Sequence, residues 1–358
     1  MAPAREKKTQ HMRSKQLLPR CLRAILASIF FPGVALAAEP PGMPDGWSDG
    51  YVYANGIRLH YYRAVPAPEK PVMVMVHGIT DNGLCWTTLT LKLQDDYDIY
   101  LLDARGHGLS DPFTPADGGD TLIKDVVAAV DALGLKKPIL MGHSMGAATV
   151  MRVGAEYPDL ARSVIMLDPF LTRAGGERRP PRPASDERRE PVRETAPKGE
   201  PRDTPREAPR NADPAGNRLS VSMAAAPERL VAQNNYKFED LVATGRRQFP
   251  KWNDADIKYW ALSKKQYHGA YSDAAWQAMS GAMQTGDALG RIPVPAIVLK
   301  ADTSPDGRSS NEKAVEGLDR VKLVHIDGAG HNLHHDELER TVVELTKFLA
   351  TPAPDGTR

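Results

Sequence analysis

The 358-residue sequence has little cysteine and almost no excess of charge of either sign. Its 46 Lys and Arg residues balance 45 Asp and Glu residues, and the basic residues are interspersed with acidic ones. This pattern is typical of a solvated surface, so we expect no nucleic-acid partner. Of the two cysteines, Cys21 lies in a leader-like segment and Cys85 is then alone in the mature chain. We therefore expect no intramolecular disulfide, which suits an exported bacterial protein whose core is large enough to fold without one.

The N-terminal region also lacks a hydrophobic run long enough for a comfortable membrane span. Residues 24–36 are apolar but fall short of the ~20 residues that a membrane helix needs, and they include a proline and a glycine. Basic residues precede this run and Ala-Leu-Ala at 35–37 ends it, which is typical of an export signal. We expect residues 1–37 to be a signal peptide, with no stable membrane span after its removal and a periplasmic or secreted bacterial location. A retained anchor is the weaker alternative, and Met12 is an alternative start.

Two kinds of ligand site are missing from the sequence. No residues show the spacing of a metal site, because the adjacent His334 and His335 cannot chelate an ion from one helix face. No glycine-rich phosphate-binding loop is evident either. We therefore expect no metal and no cofactor, and we expect His334 and His335 to be surface or capping residues at the start of the final helix.

Short apolar runs alternate with helical patterns over most of the chain. Residues 51–54 and 57–63 flank an Asn-Gly dipeptide, which is suited to a tight hairpin turn. Apolar residues at helical spacing between 122 and 133 predict a helix. The alternation predicts a parallel sheet with helices on both sides. The other predicted elements are strands at 71–76, 97–102, 138–141, 163–167, 296–299 and 321–326 and a final helix at 336–349.

Two segments of different composition interrupt this alternation. From 173 to 218 the only bulky apolar residue is Val192, amid repeated Pro, Arg and Glu, so we expect a disordered insertion. Docking of this insertion to an anionic surface is the less favoured reading. Residues 219–290 are helical in pattern and rich in aromatics, and we expect them to form a cap over the carboxyl edge of the sheet, where ligands bind in open α/β folds. The core then comprises residues 48–172 and 291–350.

A serine stands at a predicted strand-to-helix turn. The run Gly-His-Ser-Met-Gly at 142–146 follows the apolar residues 138–141 and precedes the helix-forming stretch 147–156. The flanking glycines matter because a Cβ at either position would collide with the adjoining strand or helix. The turn presents the hydroxyl of Ser144 and aims the amide of Met145 at an oxyanion formed there. The pattern predicts that Ser144 is a nucleophile.

A serine nucleophile needs a base, and the base needs an acid that orients it. His331 is the best candidate for the base because it ends a flexible Gly-Ala-Gly-His loop just after the last predicted strand. The His-Gly-Ile loop after the first central strand is expected to supply a second oxyanion donor, the N–H of Ile79. We expect His77 in this loop to be a structural hydrogen-bonding residue. The segment 103–108 is expected to be a tight loop that supports the site.

Together these motifs resemble the serine hydrolases of the α/β-hydrolase fold. The elbow at Ser144, the His-Gly loop at 77–78, the segment 103–110 and the Gly-His pair at 330–331 carry the resemblance in the order that the family uses. It covers roughly residues 48–350 apart from the insertion. It implies an α/β fold with a mostly parallel eight-stranded sheet, helices on both faces and a helical cap inserted after the sixth strand. It also implies a triad of nucleophile, acid and histidine.

The acid of this triad is not at the family's usual position. The resemblance places it beyond the penultimate strand in a Gly-x-x-Asp pattern, where this sequence has Ser304. Two aspartates can replace it: Asp168, which ends the strand after the nucleophile helix, and Asp302, shifted by two residues. Asp306 is a third and less favoured candidate. We weight Asp168 slightly above Asp302 because some members of the fold, haloalkane dehalogenases among them, carry the acid at the earlier strand end.

The expected function is hydrolysis of carboxylic esters through an acyl-enzyme, with a small-molecule ester as the substrate. Ser144 argues against relatives such as epoxide hydrolases, which attack through a carboxylate. Hydrolysis of a C–C bond, an amide or a lactone by the same triad is an alternative, as is a non-catalytic ligand-binding member of the fold. The aromatic residues of the expected cap favour an apolar or aromatic substrate group. The sequence discloses neither the substrate-binding residues nor the oligomeric state.

Overall fold

The computed structural model of the chain describes residues 39–171, 233–269 and 271–351. The expected signal peptide at 1–37 and the expected insertion at 173–218 lie outside the described residues. The same holds for the first part of the expected cap, residues 219–232.

Eight strands form one sheet. They are β1 (Ser48–Ala54), β2 (Ile57–Arg63), β3 (Val72–Val76), β4 (Asp98–Leu102), β5 (Ile139–His143), β6 (Ser163–Leu167), β7 (Ala296–Ala301) and β8 (Val321–Ile326). Their order is β1-β2-β4-β3-β5-β6-β7-β8. β2 pairs antiparallel with both β1 and β4, and the other pairings are parallel. Asn55 and Gly56 both have positive φ in the β1–β2 turn, as an Asn-Gly hairpin requires.

Helices connect the parallel strands. The first group is a 3₁₀ helix (Gly83–Trp86), α1 (Thr87–Leu93), α2 (Thr121–Ala132) and α3 (Met145–Glu156). Between β6 and β7 follow α4 (Phe238–Gln248), α5 (Asp254–Gln266), α6 (Asp273–Ala282) and α7 (Ala288–Arg291). The last group is α8 (Pro305–Val315), α9 (Leu333–Asp336) and α10 (Leu338–Leu349). No helix in the described ranges combines the length and the apolar composition that crossing a bilayer requires.

Alternate residues of the buried strands contribute to two hydrophobic clusters, one on each face of the sheet. Val74 and Val76 of β3 belong to the cluster that contains α2 and α3, whereas Met73 and Met75 belong to the cluster that contains α1 and α10. Both faces are therefore covered, which explains why the parallel strands read as continuous apolar runs. Each such buried side chain contributes about 1.5–3 kcal/mol. The expected mostly parallel eight-stranded sheet with helices on both faces is confirmed.

The helices α4, α5 and α6, called the cap helices below, lie between β6 and β7 in the chain. Phe238, Leu241, Trp252, Ile257 and Trp260 pack with other apolar residues of α4 and α5 in a small cluster of their own. A part of the aromatic content of this segment therefore stabilises the cap helices themselves.

The expected final helix at 336–349 is observed as α10 and begins two residues later than expected, at Leu338. The backbone leaves the helical conformation at Glu337, where φ is −139° and ψ is 58°, and the short helix α9 precedes this break. The expectation that His334 and His335 are surface or capping residues is wrong, since their exposed fractions are 3% and 8%. Both lie in the short helix α9, which turns them inward. The His334 ring packs 4.7 Å from the Trp86 ring, so an aromatic contact replaces contact with water.

Candidate active site

Ser144 occupies a strained turn between β5 and α3. Its φ is 52° and its ψ is −111°, a conformation that side chains other than glycine rarely adopt. A Cβ on Gly142 would overlap the carbonyl oxygen of Gly146, and a Cβ on Gly146 would overlap that of Val76. Glycine is therefore required on both flanks of the turn. Ser144 is 6% exposed, and its side chain lines a cavity described below.

His331 and Asp168 form a hydrogen-bonded pair. The Nδ1 atom of His331 lies 2.6 Å from Oδ2 of Asp168. A carboxylate can only accept, so Nδ1 carries the proton and Nε2 is left as an acceptor. The imidazole is 48% exposed, whereas the carboxylate is 12% exposed. The structure thus gives His331 the tautomer that a general base requires.

The second oxygen of Asp168 also has partners. Oδ1 lies 2.5 Å from Nζ of Lys300 and accepts a 3.2 Å hydrogen bond from the amide of Ala301. Burial by itself raises the pKa of Asp168, but the hydrogen bonds from His331 and Lys300 outweigh it and lower the pKa to about 2. The carboxylate is therefore ionised at neutral pH and can stabilise a positive charge on His331.

The sheet places Ser144 and Asp168 side by side. β5 and β6 are parallel neighbours, and the two residues directly follow their carboxyl ends. The amide of Ser144 donates a 3.0 Å hydrogen bond to the carbonyl of Leu167, and the amide of Asp168 donates to Leu299 at 2.7 Å. The backbone ladder therefore continues one residue past each strand and fixes the separation of the two turns.

Asp302 supports the histidine loop and makes no hydrogen bond with the imidazole in the structure. Its Oδ2 accepts from the amide of Gly328 at 2.9 Å, and its Oδ1 lies 2.6 Å from Arg308. The hydrogen bonds from the Gly328 amide and from Arg308 lower the pKa of Asp302 to about 2. Ser304 caps α8, where its Oγ accepts from the amide of Gly307 at 3.2 Å. Asp306, the third candidate, is exposed in the first turn of the same helix.

The two expected oxyanion donors are placed differently: Ile79 lines the cavity that contains Ser144, and Met145 directly follows Ser144 in the chain. Met145 is the first residue of α3, so its amide belongs to the unpaired first turn of that helix. Ile79 lines the cavity together with Ser144. His77 holds the Ile79 loop, because its Nδ1 donates to the carbonyl of Gly78 at 2.7 Å and its Nε2 accepts from Ala104 at 3.0 Å. Both ring nitrogens are thus used structurally, in agreement with the role expected for His77.

The loop that follows β4 is internally bonded, as expected. Asp103 accepts hydrogen bonds from the amides of Gly83 at 2.6 Å and Leu109 at 2.9 Å, and its Oδ2 also lies 2.8 Å from Nδ1 of His60. His107 is buried, and its Nδ1 donates to the carbonyl of Arg105 at 2.9 Å. This loop therefore supports the neighbouring 3₁₀ helix and makes no contact that assigns it a chemical step.

A cavity of about 470 Å³ joins these groups. The cap helices supply Trp260, Lys264 and Trp276 to its wall, and Phe170 is a further aromatic wall residue. The residues that line it are Gly78, Ile79, Thr80, Asp81, His143, Ser144, Phe170, Trp260, Lys264, Trp276, Met283, His331 and Asn332. The nucleophile, the imidazole and an oxyanion loop thus face one partly apolar space of the size that binds a small molecule.

The sequence as a whole matches a known family. The profile of the alpha/beta hydrolase family matches residues 73–345, which is well over half of the chain. The chain belongs to the alpha/beta hydrolase family. Within the described residues, no group of three or more His, Cys, Asp or Glu side chains is arranged to hold a metal ion.

The relatives of this hydrolase are named for different activities. Epoxide hydrolase 1 of Caenorhabditis elegans is 23% identical over 323 residues, which cover 87% of this chain and 72% of that protein. N-formylmaleamate deformylase of Pseudomonas putida is 36% identical over 127 residues, 35% of this chain and about half, 47%, of the relative. The crystal structure of E-2-(acetamidomethylene)succinate hydrolase superposes with a TM-score of 0.59 at 19% identity, over 85% of this chain and 100% of that one. At that identity the superposition shows the fold alone.

The sequence analysis of this hydrolase missed Lys264, Asp81 and Lys300. Lys264 and Asp81 line the cavity as an ion pair of 2.9 Å. Lys300 contacts Asp168 from the end of β7. No sequence signal singles them out, because a lysine on an amphipathic helix or at a strand end is ordinarily solvated. Their pairing depends on tertiary packing.

His143, which precedes the nucleophile in the chain, both packs against and hydrogen-bonds to the histidine loop. Its Nε2 donates to the carbonyl of His331 at 2.9 Å, and its ring packs 4.7 Å from that of His331. Its Nδ1 is buried without a hydrogen-bond partner. Burial and the neighbouring His331 lower the pKa of His143 to about 3, so its ring is neutral at physiological pH. It therefore holds the loop that carries His331.

Proposed function

We propose that this hydrolase cleaves carboxylic esters through an acyl-enzyme at Ser144. The observation that carries the proposal is that Ser144, on a strained turn, lines the same cavity as His331, whose Nδ1 is held by Asp168. Esters are the substrates that this arrangement fits most simply, because an alkoxide is a better leaving group than an amine anion and depends less on proton transfer from the histidine.

The reaction proceeds in two halves. Ser144 Oγ attacks the carbonyl carbon while Nε2 of His331 takes its proton, and the amides of Met145 and Ile79 donate to the oxyanion. The imidazolium then protonates the leaving alcohol, and the C–O bond breaks to give an acyl-serine. Water, deprotonated by His331, attacks the acyl carbonyl, and the imidazolium then returns the proton to Oγ of Ser144 as the C–O bond to the serine breaks and the acid is released. Each oxyanion donor lowers the barrier by roughly 3 kcal/mol.

The cavity favours a neutral substrate with an apolar group. Among its described lining residues, Asp81 and Lys264 carry opposite charges and neutralise each other at 2.9 Å. The side chains of Trp260, Trp276 and Phe170 offer aromatic surface against which an acyl chain or an aryl group can pack. A carboxylate on the substrate would meet no free cation among these described residues.

Amide hydrolysis is the second candidate function, on the observation that N-formylmaleamate deformylase is 36% identical over the segment that it shares with this chain. The same triad can cleave an amide if His331 protonates the leaving nitrogen. Epoxide opening, for which the relative from C. elegans is named, is not proposed, because a serine stands where that chemistry needs a carboxylate nucleophile.

The test is a substrate panel with a nucleophile variant. Neutral aryl and alkyl esters of graded chain length are compared with the matching anilides and with esters that carry a free carboxylate. We expect the neutral esters to be hydrolysed fastest. Ser144→Ala should lower turnover by about 10⁴- to 10⁶-fold, while Ser310→Ala, on the exposed face of α8, should not change it.

Two results would contradict the proposal of ester hydrolysis at Ser144. Full activity in Ser144→Ala would exclude Ser144 as the nucleophile. A preference for the anilides over the esters at equal leaving-group basicity would favour amide hydrolysis instead.

We also propose that the mature protein is exported after cleavage following Ala37. The support is the sequence pattern of basic residues, an apolar run and Ala-Leu-Ala at 35–37. The intact mass of protein recovered from the periplasm or the medium should correspond to a chain that begins at Ala38. Recovery of the uncleaved chain in the membrane fraction would favour a retained anchor.

A further inference from the structure

Lys264 is a buried cation whose three donors are all used. Its side chain is 2% exposed, although it lines the cavity from cap helix α5. Nζ donates to the carbonyl of Thr80 at 2.9 Å, to Oγ1 of Thr80 at 2.7 Å and to Oδ1 of Asp81 at 2.9 Å. An ammonium group has three hydrogens, so none is left for a substrate.

All of these acceptors belong to the loop that presents Ile79. Thr80, the next residue, has a φ of 69°, a conformation that costs a β-branched residue of order 1–3 kcal/mol. Such a conformation persists only when its surroundings determine it. On the other side of Ile79, His77 fixes the carbonyl of Gly78. Lys264 and His77 therefore hold the two flanks of Ile79, the cavity-lining residue whose amide is the expected oxyanion donor.

The charge of Lys264 is compensated locally. Burial by itself raises the pKa of Asp81, but the Lys264 ammonium 2.9 Å away lowers it below its usual range, so the pair is ionised. The ring of Trp260, one turn earlier on α5, lies 5.2 Å from Nζ, which is within the range of a cation–π contact. The lysine is thus fixed on its own helix as well as on the loop.

We propose that Lys264 is a positioning residue that connects cap helix α5 to the oxyanion hole, by holding Thr80 and Asp81 so that the amide of Ile79 points at the developing oxyanion. This inference rests on the proposed function. Lys264 acts through the loop and not on the substrate, so its loss should lower kcat and leave KM nearly unchanged.

The matched pair of variants is Lys264→Met and Lys265→Met. Lys265 is the next residue on α5, and its Nζ donates to the carbonyls of Asn234 and Tyr236 at 2.9 and 2.7 Å, away from the oxyanion loop. Each variant removes a lysine of α5 that donates hydrogen bonds to backbone carbonyls outside this helix. On a neutral ester we expect Lys264→Met to lower kcat about 10- to 100-fold with KM within about twofold of wild type. Lys265→Met should keep the wild-type kcat.

A second measurement separates positioning from general loss of structure. A trifluoromethyl ketone adds to a reactive serine and gives a tetrahedral oxyanion, whereas the product alcohol binds without one. In Lys264→Met the affinity for the ketone should fall by about the same factor as kcat, while the inhibition constant of the alcohol stays within about twofold of wild type. Equal losses of both affinities, or equal kcat values in the two lysine variants, would overturn the proposal.

Lys264→Met leaves the Asp81 carboxylate without its cation and can fail to fold for that reason. The double variant Lys264→Met/Asp81→Asn removes both charges and should fold while showing the same loss of kcat and of ketone affinity. A folded double variant with wild-type values of both would also overturn the proposal. If instead the wild-type protein forms no ketone adduct and Ser144→Ala has wild-type activity, the proposed function itself is wrong.

Discussion

At the scale of single residues, backbone strain concentrates at the candidate site. Within the described ranges the non-glycine residues with positive φ are Asn55, Thr80, Lys137, Ser144 and Asp168. Three of them are the proposed nucleophile, its acid and the residue beside an oxyanion donor. Each such conformation costs of order 1–3 kcal/mol, which the surrounding packing must offset. At these three positions the strained backbone therefore lowers the stability of the fold while it places the groups of the candidate site.

The first prediction at this scale concerns the acid. Asp168→Asn should lower turnover by about four orders of magnitude, because an amide that donates to Nδ1 would favour the wrong tautomer of His331. Asp302→Asn should cost far less, since Asp302 contacts the amide of Gly328 and the guanidinium of Arg308. The measurement is kcat of both variants on the best ester of the panel. A larger loss in Asp302→Asn would contradict the assignment of Asp168.

The residues of the site differ in how far the sequence predicts them. Ser144 and His331 are predicted because glycines mark their turns and the chain order matches the family. Asp168 and Asp302 both follow sheet strands, and sequence cannot choose between them because the choice depends on which carboxylate the histidine loop reaches. The role of Lys264 cannot be predicted from the sequence, since the atoms that accept its hydrogen bonds lie on a loop almost two hundred positions earlier.

At the scale of elements, the turn between β5 and α3 allows no side chain at Gly146. The helix that follows the nucleophile crosses β3 so closely that a Cβ there would overlap backbone oxygens of Val76 and His77. Backbone cannot move aside as a flexible side chain can, so the contact fixes the start of α3 against the sheet.

Gly146→Ala should therefore destabilise the protein by several kcal/mol or prevent folding, because relief of the overlap requires α3 to shift. Gly290→Ala is the matched control within a helix: its Cβ would lie 3.5 Å from Leu318, an ordinary contact. That change should be neutral or stabilise by up to about 1 kcal/mol. The free energies of unfolding of the two variants are compared by urea denaturation monitored by circular dichroism. Equal unfolding free energies would show that α3 adjusts freely.

Element types were predictable from periodicity, whereas some boundaries were not. The strands that the sequence predicts match the observed ones within one to three residues, because the apolar runs are buried on both faces. The final helix was predicted to begin at 336 but begins at Leu338, because nothing in the sequence marks Glu337 as a break. The break there reflects packing, since Nζ of Lys251 lies 2.8 Å from the Glu337 carboxylate, and in α9 the His334 ring packs on Trp86 and the His335 ring on Trp252.

At the scale of the whole molecule, burial keeps several histidines neutral. Burial is the main cause that lowers the pKa values of His77, His107, His143 and His334. A nearby basic side chain adds to this effect, Lys264 for His77 and other histidines for the remaining three. His60 behaves in the opposite way: burial lowers its pKa, but hydrogen bonds to Asp103 and Asp49 outweigh it and raise the pKa. Lowered histidine pKa values are therefore more numerous than raised ones among the described residues.

The stability of the protein should consequently fall on acidification. An unfolded chain binds protons on histidine below about pH 6.5, whereas His143 stays neutral in the folded state until about pH 3, so stability is lost as pH falls through this window. His143 alone contributes a loss of about 2 kcal/mol between pH 6.5 and 5. His60 acts against this trend, because its contribution is present below about pH 6.5 and is lost as pH rises through its raised pKa.

Urea unfolding at pH 7 and at pH 5 measures how far the free energy of unfolding falls between the two pH values. His334→Phe keeps an aromatic ring beside Trp86 and removes one titrating group, so its loss of stability between the two pH values should be smaller than that of wild type. Identical losses in the two proteins would show that His334 does not contribute.

The order of the site's residues along the chain allows the cap helices to be replaced during evolution without a change in the nucleophile or its acid. Ile79, Ser144 and Asp168 all precede the cap helices in the chain, from which Trp260 and Lys264 come. Descendants of this sequence can therefore exchange the cap helices, and with them the range of substrates, while the nucleophile and its acid stay in place. If Lys264 holds the oxyanion loop as proposed, each exchanged cap must bring its own donor to Thr80, and lineages that lose this donor should bind new substrates before they turn them over efficiently.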